Sequence, residues 1–177
     1  MNIEKVVVGE LEENCYIVSK NHCCLVIDPG DEFNKIKEKI GDKKVMGVLL
    51  THHHFDHVGA LKEVLEFYQT KLYDFNVLQE KEYIMDPFQF EVIYNPGHSM
   101  DSISFYFKEK QVMFVGDFIF FESIGRCDLE GGSFVQMQKS IEKLKQLNDV
   151  TLYPGHGQKT TLEYEKRNNS FFRGLFF

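Results

Sequence analysis

The chain has 177 residues, 27 acidic and 20 basic, for a formal net charge of −7. This length predicts one domain with a real core over residues 1–177 and leaves little room for an accessory one. Apolar residues make up 43% and charged residues 27%, which excludes a disordered chain, and the acidic balance argues against a broad nucleic-acid-binding face.

The opening residues Met1–Glu10 carry no basic segment, long apolar run and small-residue cleavage site in the order of a secretory signal, and no stretch has the ~20 apolar residues of a membrane span. The four cysteines, Cys15, Cys23, Cys24 and Cys127, include no Cys-x-x-Cys spacing, so reduced thiols and a cytoplasmic location are expected, with no membrane partner. Short β-branched runs ending in turn residues predict strands at Val6–Val8, Cys15–Val18 and Cys23–Ile27, the last ending at Asp28-Pro29-Gly30. Phe33, Ile36 and Ile40 recur at helical spacing. A buried strand over 45–50 and a helix over Val58–Tyr68 follow; residues 71–88 read either way and are broken by Pro87. Phe90–Tyr94, Ile103–Phe107 and Val112–Val115 read as strands, Phe134–Leu147 as a helix, and Val150–Tyr153 as a final strand. Sheets covered by helices, an α/β layered architecture, are the expected result.

Six of the seven histidines fall in three short places. Thr51-His52-His53-His54-Phe55-Asp56-His57 begins where the apolar run 45–50 ends. In extended backbone His52 and His54 point the same way, with His53 opposed. Asp56 and His57 then enter the next helix and face a second position. Three more strands stop at glycine and each delivers one ligand-type side chain: Gly97 before His98, Gly116 before Asp117, and Gly155 before His156. Strand-end loops held by a rigid sheet are common places for active sites. The seven side chains suit two divalent cations: His52, His54 and His98 for one, Asp56, His57 and His156 for the other, and Asp117 shared. Nitrogen and oxygen donors without thiolate favour catalytic zinc, with iron or manganese as alternatives.

These motifs resemble those of metallo-β-lactamase-fold hydrolases over nearly the whole chain: Thr51-His52-x-His54-x-Asp56-His57, Pro96-Gly97-His98, Gly116-Asp117 and Pro154-Gly155-His156-Gly157. The resemblance implies a four-layer αβ/βα sandwich with two metals at one edge of the sheets. The glyoxalase II-like (hydroxyacylglutathione hydrolase-like) subgroup is the most similar, through Asn14-Cys15-Tyr16, Asp28-Pro29-Gly30, residues 123–133, and Glu165 with Asn169-Ser170-Phe171-Phe172-Arg173. The chain departs from that pattern at Cys127, at Met100-Asp101 after His98-Ser99, and at Ser170; it also looks shortened over 71–93, and no part of it matches that subgroup's C-terminal helical domain.

The chemistry implied is hydrolysis of a small-molecule thioester or ester by a metal-bridging hydroxide. Asp56 and Asp117 are the candidate catalytic carboxylates. Arg126, Phe55 and Tyr16 are candidate substrate or ligand-supporting residues, with pairing to Asp128 or Asp56 as the structural alternative for Arg126 and packing as that for the two rings. Cys127 is expected to be a small packed residue and His22 an exposed turn residue. A one-iron persulfide dioxygenase-like enzyme and a phosphodiesterase or nuclease are the competing activities. The Phe-rich segment 171–177 is read as docking on the core or as a homo-oligomer contact.

Overall fold

The computed structural model describes residues 1–174. Two sheets carry the architecture. The first is formed by β1 (Asn2–Val8), β2 (Glu13–Lys20), β3 (Cys23–Ile27), β4 (Lys44–Leu49) and β5 (Leu72–Tyr73), hydrogen-bonded in that order. Its first three strands form an antiparallel meander, and β4 and β5 join in parallel. The second has the order β13 (Thr160–Thr161), β12 (Thr151–Pro154), β9 (Val112–Gly116), β8 (Ile103–Phe107), β7 (Phe88–Tyr94), β6 (Glu82–Met85). Here the β12–β9 pair is parallel and the others antiparallel. A separate short hairpin joins β10 (Ile119–Phe120) to β11 (Ser123–Ile124).

Alternation along the strands divides the core into three layers. Between the sheets, Val18, Leu25, Ile27 and Leu49 meet Phe90, Phe105, Phe107 and Phe114. On the outer face of the first sheet, Cys15, Ile17, Cys24 and Val26 pack against Ile36 and Ile40 of α1 (Phe33–Ile40) and Val64 of α3 (Leu61–Tyr68). On the outer face of the second, Met113, Val115 and Leu152 pack against Met137, Ile141 and Leu144 of α4 (Phe134–Leu144) and Leu162 of α5 (Leu162–Asn168). Helix, sheet, sheet, helix is the αβ/βα sandwich expected from the motifs.

The helix expected over Val58–Tyr68 is broken. One helical turn, α2 (Phe55–Val58), is followed by Gly59 and Ala60 before α3 begins. The Ala60 N–H donates to the Pro29 carbonyl at 3.0 Å, and a Cβ on Gly59 would lie 2.2 Å from the Gly30 carbonyl oxygen. Close approach of these two loops, each carrying glycine at the contact, interrupts the helix and fixes the turn bearing Asp56 and His57. The ambiguous stretch 71–88 contains two short strands, β5 and β6, with a cis Asp86–Pro87 bond before β7.

Of the Phe-rich segment, Phe172 is buried in the outer layer beside α4, and Phe171 packs against that layer. Leu175, Phe176 and Phe177 lie outside the described residues. Among the described residues no helix is long and apolar enough to cross a membrane.

Candidate metal centre

The strands run so that their glycine-terminated ends meet at one edge of the two sheets. Thr51 and His52 leave β4, Asp117 follows β9, and His156 follows β12. The loop after β7 adds His98. All seven sequence-predicted ligand residues come together here. The ligand atoms of His52, His54 and His98 lie within 4.8 Å of one another, and so do those of Asp56, His57 and His156. Asp117 stands between the two groups. Its Oδ1 is 3.3 Å from His57 Nε2, while Oδ2 is 3.5 Å from His98 Nε2 and 3.7 Å from His156 Nε2.

Each of four imidazoles is oriented through the ring nitrogen that faces away from this cluster. His98 Nδ1 donates to the Arg126 carbonyl at 2.7 Å, and His156 Nδ1 to the Leu11 carbonyl at 3.0 Å. His57 Nδ1 donates to Asp28 Oδ2 at 3.1 Å. The Thr51 hydroxyl donates to the same carboxylate at 2.7 Å, so its oxygen is left to accept from His52 Nδ1 at 3.1 Å. The Thr51 N–H completes the set on Asp28 at 2.8 Å. Fixing the outward nitrogen as a donor fixes the tautomer and leaves Nε2 of His52 unpartnered, while Nε2 of His98 faces His54 Nδ1 at 2.8 Å inside the cluster.

The inward atoms pass a simple test of fit. His52 Nε2, His57 Nε2 and Asp117 Oδ1 are buried and have no hydrogen-bond partner among the described residues. Buried polar atoms are normally paired, and an orphaned set of nitrogen and oxygen donors converging on one point matches the donor chemistry of a divalent cation. Space is made for it by Gly155, where a Cβ would sit 2.3 Å from Asp117 Oδ1.

The electrostatics differ across the cluster. Burial, reinforced by the charge on His57, holds His52 well below the ordinary histidine range, and burial also lowers His54. Burial acts on His57 in the same direction, but the Asp117 carboxylate 3.3 Å from its Nε2 and the Asp28 carboxylate bonded to its Nδ1 overcome it and raise that imidazole well above the ordinary value. His156 is likewise raised, its bond to Asp56 outweighing burial. Against its own burial, Asp117 is pulled down to about 2 by His57 and its neighbours and is therefore ionised.

The remaining sequence candidates fall in different places. Phe55 is 75% exposed on the rim, and Arg126 lines the same cavity while donating from Nε and NH2 to Asp128, each bond 2.8 Å. Tyr16 is buried; its hydroxyl donates to the Pro154 carbonyl at 2.6 Å, and Asn14 Nδ2 donates to the same atom at 3.0 Å. Both side chains brace the loop that carries His156. Cys127 is buried against the Gly125 carbonyl, and His22 is exposed near Asp42. His53 turns away from the centre, with Nε2 3.0 Å from Asp74 Oδ2 and Nδ1 2.5 Å from Asp101 Oδ2.

Sequence reasoning passed over Asp28 and Thr51 as site residues. The available signal was an acidic side chain at the buried end of a strand, immediately before Pro29-Gly30. Glu13 is also buried, 3.8 Å from His57 Nδ1, and burial pushes its carboxyl well above the ordinary range.

The metallo-β-lactamase superfamily model matches residues 8–74 and 66–156. The chain belongs to the metallo-β-lactamase superfamily. It is 33% identical to the probable metallo-hydrolase YqgX of Bacillus subtilis, across 99% of both chains. It is 32% identical to the hydroxyacylglutathione hydrolase GloC of Haemophilus influenzae, across 97% of this chain and 98% of that one. Among solved structures, TTHA1623 in a di-iron-bound form superposes with a TM-score of 0.87 at 31% identity, covering 95% of this chain and 99% of that one. Superfamily membership supports an enzyme of the metallo-hydrolase superfamily, and the chain's His and Asp clusters suit divalent metal.

Proposed function

We propose that the protein is a dinuclear metallo-hydrolase that cleaves a thioester or related small acyl ester, with zinc as the favoured metal. The observation that carries this reading is Asp117, an ionised carboxylate with one oxygen toward His57 and the other toward His98 and His156. It is placed to serve both triads at once. Di-iron binding in TTHA1623 and hydroxyacylglutathione hydrolase activity in GloC's name support the metal count and the substrate class.

When bound, such ions supply a water that ionises near neutral pH and a Lewis acid for the acyl carbonyl. The chain's own residues do the rest. Thr51, Asp28, and the Arg126 and Leu11 carbonyls hold four imidazoles in one tautomer. Asp56 Oδ2 lies 3.1 Å from His156 Nε2, on the cluster side of that ring. Beyond the metal-facing set, the titratable side chains lining the cavity are Arg126, already paired, and Glu130. A thiolate leaves without a dedicated proton donor, so a thioester suits this lining better than an amide.

Metal counting on purified protein, combined with hydrolysis of S-lactoylglutathione and simple acyl thioesters, tests the proposal. About two Zn per chain and metal-dependent thioester cleavage are expected. His52→Ala should lose at least one metal and lower turnover by about 10²-fold or more. A folded His52→Ala protein with unchanged, metal-dependent turnover would overturn the assignment, and one Fe per chain with O₂ consumption would replace hydrolysis by oxidation.

A further inference from the structure

The cavity above the metal centre encloses about 910 Å³, at the large end of the range for small-molecule sites. Its floor is made by the metal-facing side chains and its walls by Leu11, Phe55, Phe120 and Leu129. These walls come from four separate segments, the β1–β2 turn, α2, β10 and the loop after β11. Leu11 is 54% and Phe55 75% exposed, large apolar surfaces left facing water beside a catalytic floor. Apolar side chains gathered around a pocket, rather than scattered singly, mark a surface that is covered when a ligand binds.

Charge at the mouth points the same way. Arg126 is the one Lys or Arg among the described residues lining the cavity, and its Nε and Nη2 engage Asp128. Glu130 adds an acidic side chain to the same wall. The adjoining cleft, which shares Leu11, Phe55 and Asp56 with the cavity, is lined by Glu10 and Asp31 and by no Lys or Arg. A carboxylate, sulfonate or phosphate on a bound molecule would therefore meet like charge on two sides. The one cation lining the cavity already has Asp128 as its partner.

We infer that the substrate is an acyl thioester or ester whose leaving group is uncharged and apolar, seated against Leu11, Phe55, Phe120 and Leu129, and that anionic thiol carriers are disfavoured. The scissile bond in this inference rests on the proposed hydrolase reading; the polarity of the group beside it rests on the cavity walls.

The test uses the Zn-loaded full chain and two butanoyl thioesters of similar size, one of N-acetylcysteamine (uncharged) and one of 2-mercaptoethanesulfonate (anionic and a poor metal ligand). The uncharged ester should show kcat/KM at least tenfold higher. In a series of uncharged alkyl thiols, kcat/KM should rise about fourfold per added methylene until the walls are covered. A Phe55→Ser/Leu129→Ser double variant that retains its metal should flatten that series. Equal or faster cleavage of the sulfonate ester would overturn the inference and leave thioester hydrolysis standing. Cleavage of neither ester would overturn the hydrolase reading instead. Calorimetric titration with the matching S-butyl thioethers then decides the inference alone: tighter binding of the uncharged thioether supports it, and equal or tighter binding of the anionic one overturns it.

Discussion

The two corners of the metal centre are built from similar side chains and supported in opposite ways. At the trihistidine corner the supports are neutral: a threonine hydroxyl behind His52 and a backbone carbonyl behind His98. Burial there lowers His52 and His54, which favours neutral rings that keep one unprotonated nitrogen for a cation. At the other corner the carboxylate of Asp28 stands behind His57, a backbone carbonyl again stands behind His156 while Asp56 touches its inner nitrogen, and both imidazoles are raised despite burial. The first corner is preset by tautomer and the second by charge. A cation entering the second gains more Coulomb attraction but must displace protons that the first does not hold.

Asp28 is where the two strategies join, because it accepts from His57 directly and reaches His52 through the Thr51 hydroxyl. Asp28→Asn keeps the shape but presents a donor where two donors already point. It should weaken metal binding by about 10–100-fold at both corners, read as a competition titration with a chelator dye. Loss confined to one metal equivalent would show that the Thr51 relay does not transmit and that the corners are supported independently.

The contrast also has an outer component. His53 lies between two ligands of the trihistidine corner, yet its ring binds Asp101 in the loop after His98 and Asp74 in the loop after β5. The Asp56–His57 turn rests instead on the His57 bond to Asp28 and on the backbone contact of Gly59 and Ala60 with Pro29 and Gly30. His53→Ala should destabilise the fold by about 1–2 kcal/mol in urea unfolding and weaken the first metal equivalent more than the second. Equal weakening of both would mean that the clamp serves the whole edge and not one corner.

The difference between the legible and the hidden parts of this molecule follows the same line. β3 and β8 occupy the spans read from their apolar runs, and Phe33, Ile36 and Ile40 mark α1, because those elements bury continuous hydrophobic faces. α5 gave no such signal. Its buried positions include Glu165, with Asn169 just beyond its end; Glu165 accepts from Thr160 Oγ1, the Glu122 N–H and Asn169 Nδ2. A helix docked through hydrogen bonds leaves no hydrophobic period to read. The two-residue strands β10, β11 and β13 are shorter than any alternation pattern. At the site, the ligands were visible because each follows a strand that stops at a turn or glycine. Their supports were not, because they act through backbone carbonyls and distant partners: Leu11 and His156 are 145 residues apart.

Asp101 offers the finest test of the clamp. It is one of the positions at which the chain departs from the resembled pattern, and it accepts from both the backbone N–H and the ring of His53, at 3.0 and 2.5 Å. Burial opposes its ionisation, but the bonds from His53 and Ser99 win and hold its carboxyl below the ordinary value of 3.8. A depressed folded value means that the ionised form is favoured by folding. The stabilisation is thus complete above the unfolded value near 3.9 and is lost as pH falls through the lower folded one. Asp101→Asn keeps an acceptor oxygen and removes only the charge. With metal chelated, wild type should exceed the variant by about 1 kcal/mol in urea unfolding at pH 5 to 6, and the gap should begin to narrow below about pH 4. A gap that does not narrow as pH falls below that value would assign the clamp to shape and hydrogen-bond number, and the neutral character of the trihistidine corner's supports would then extend to its outer face as well.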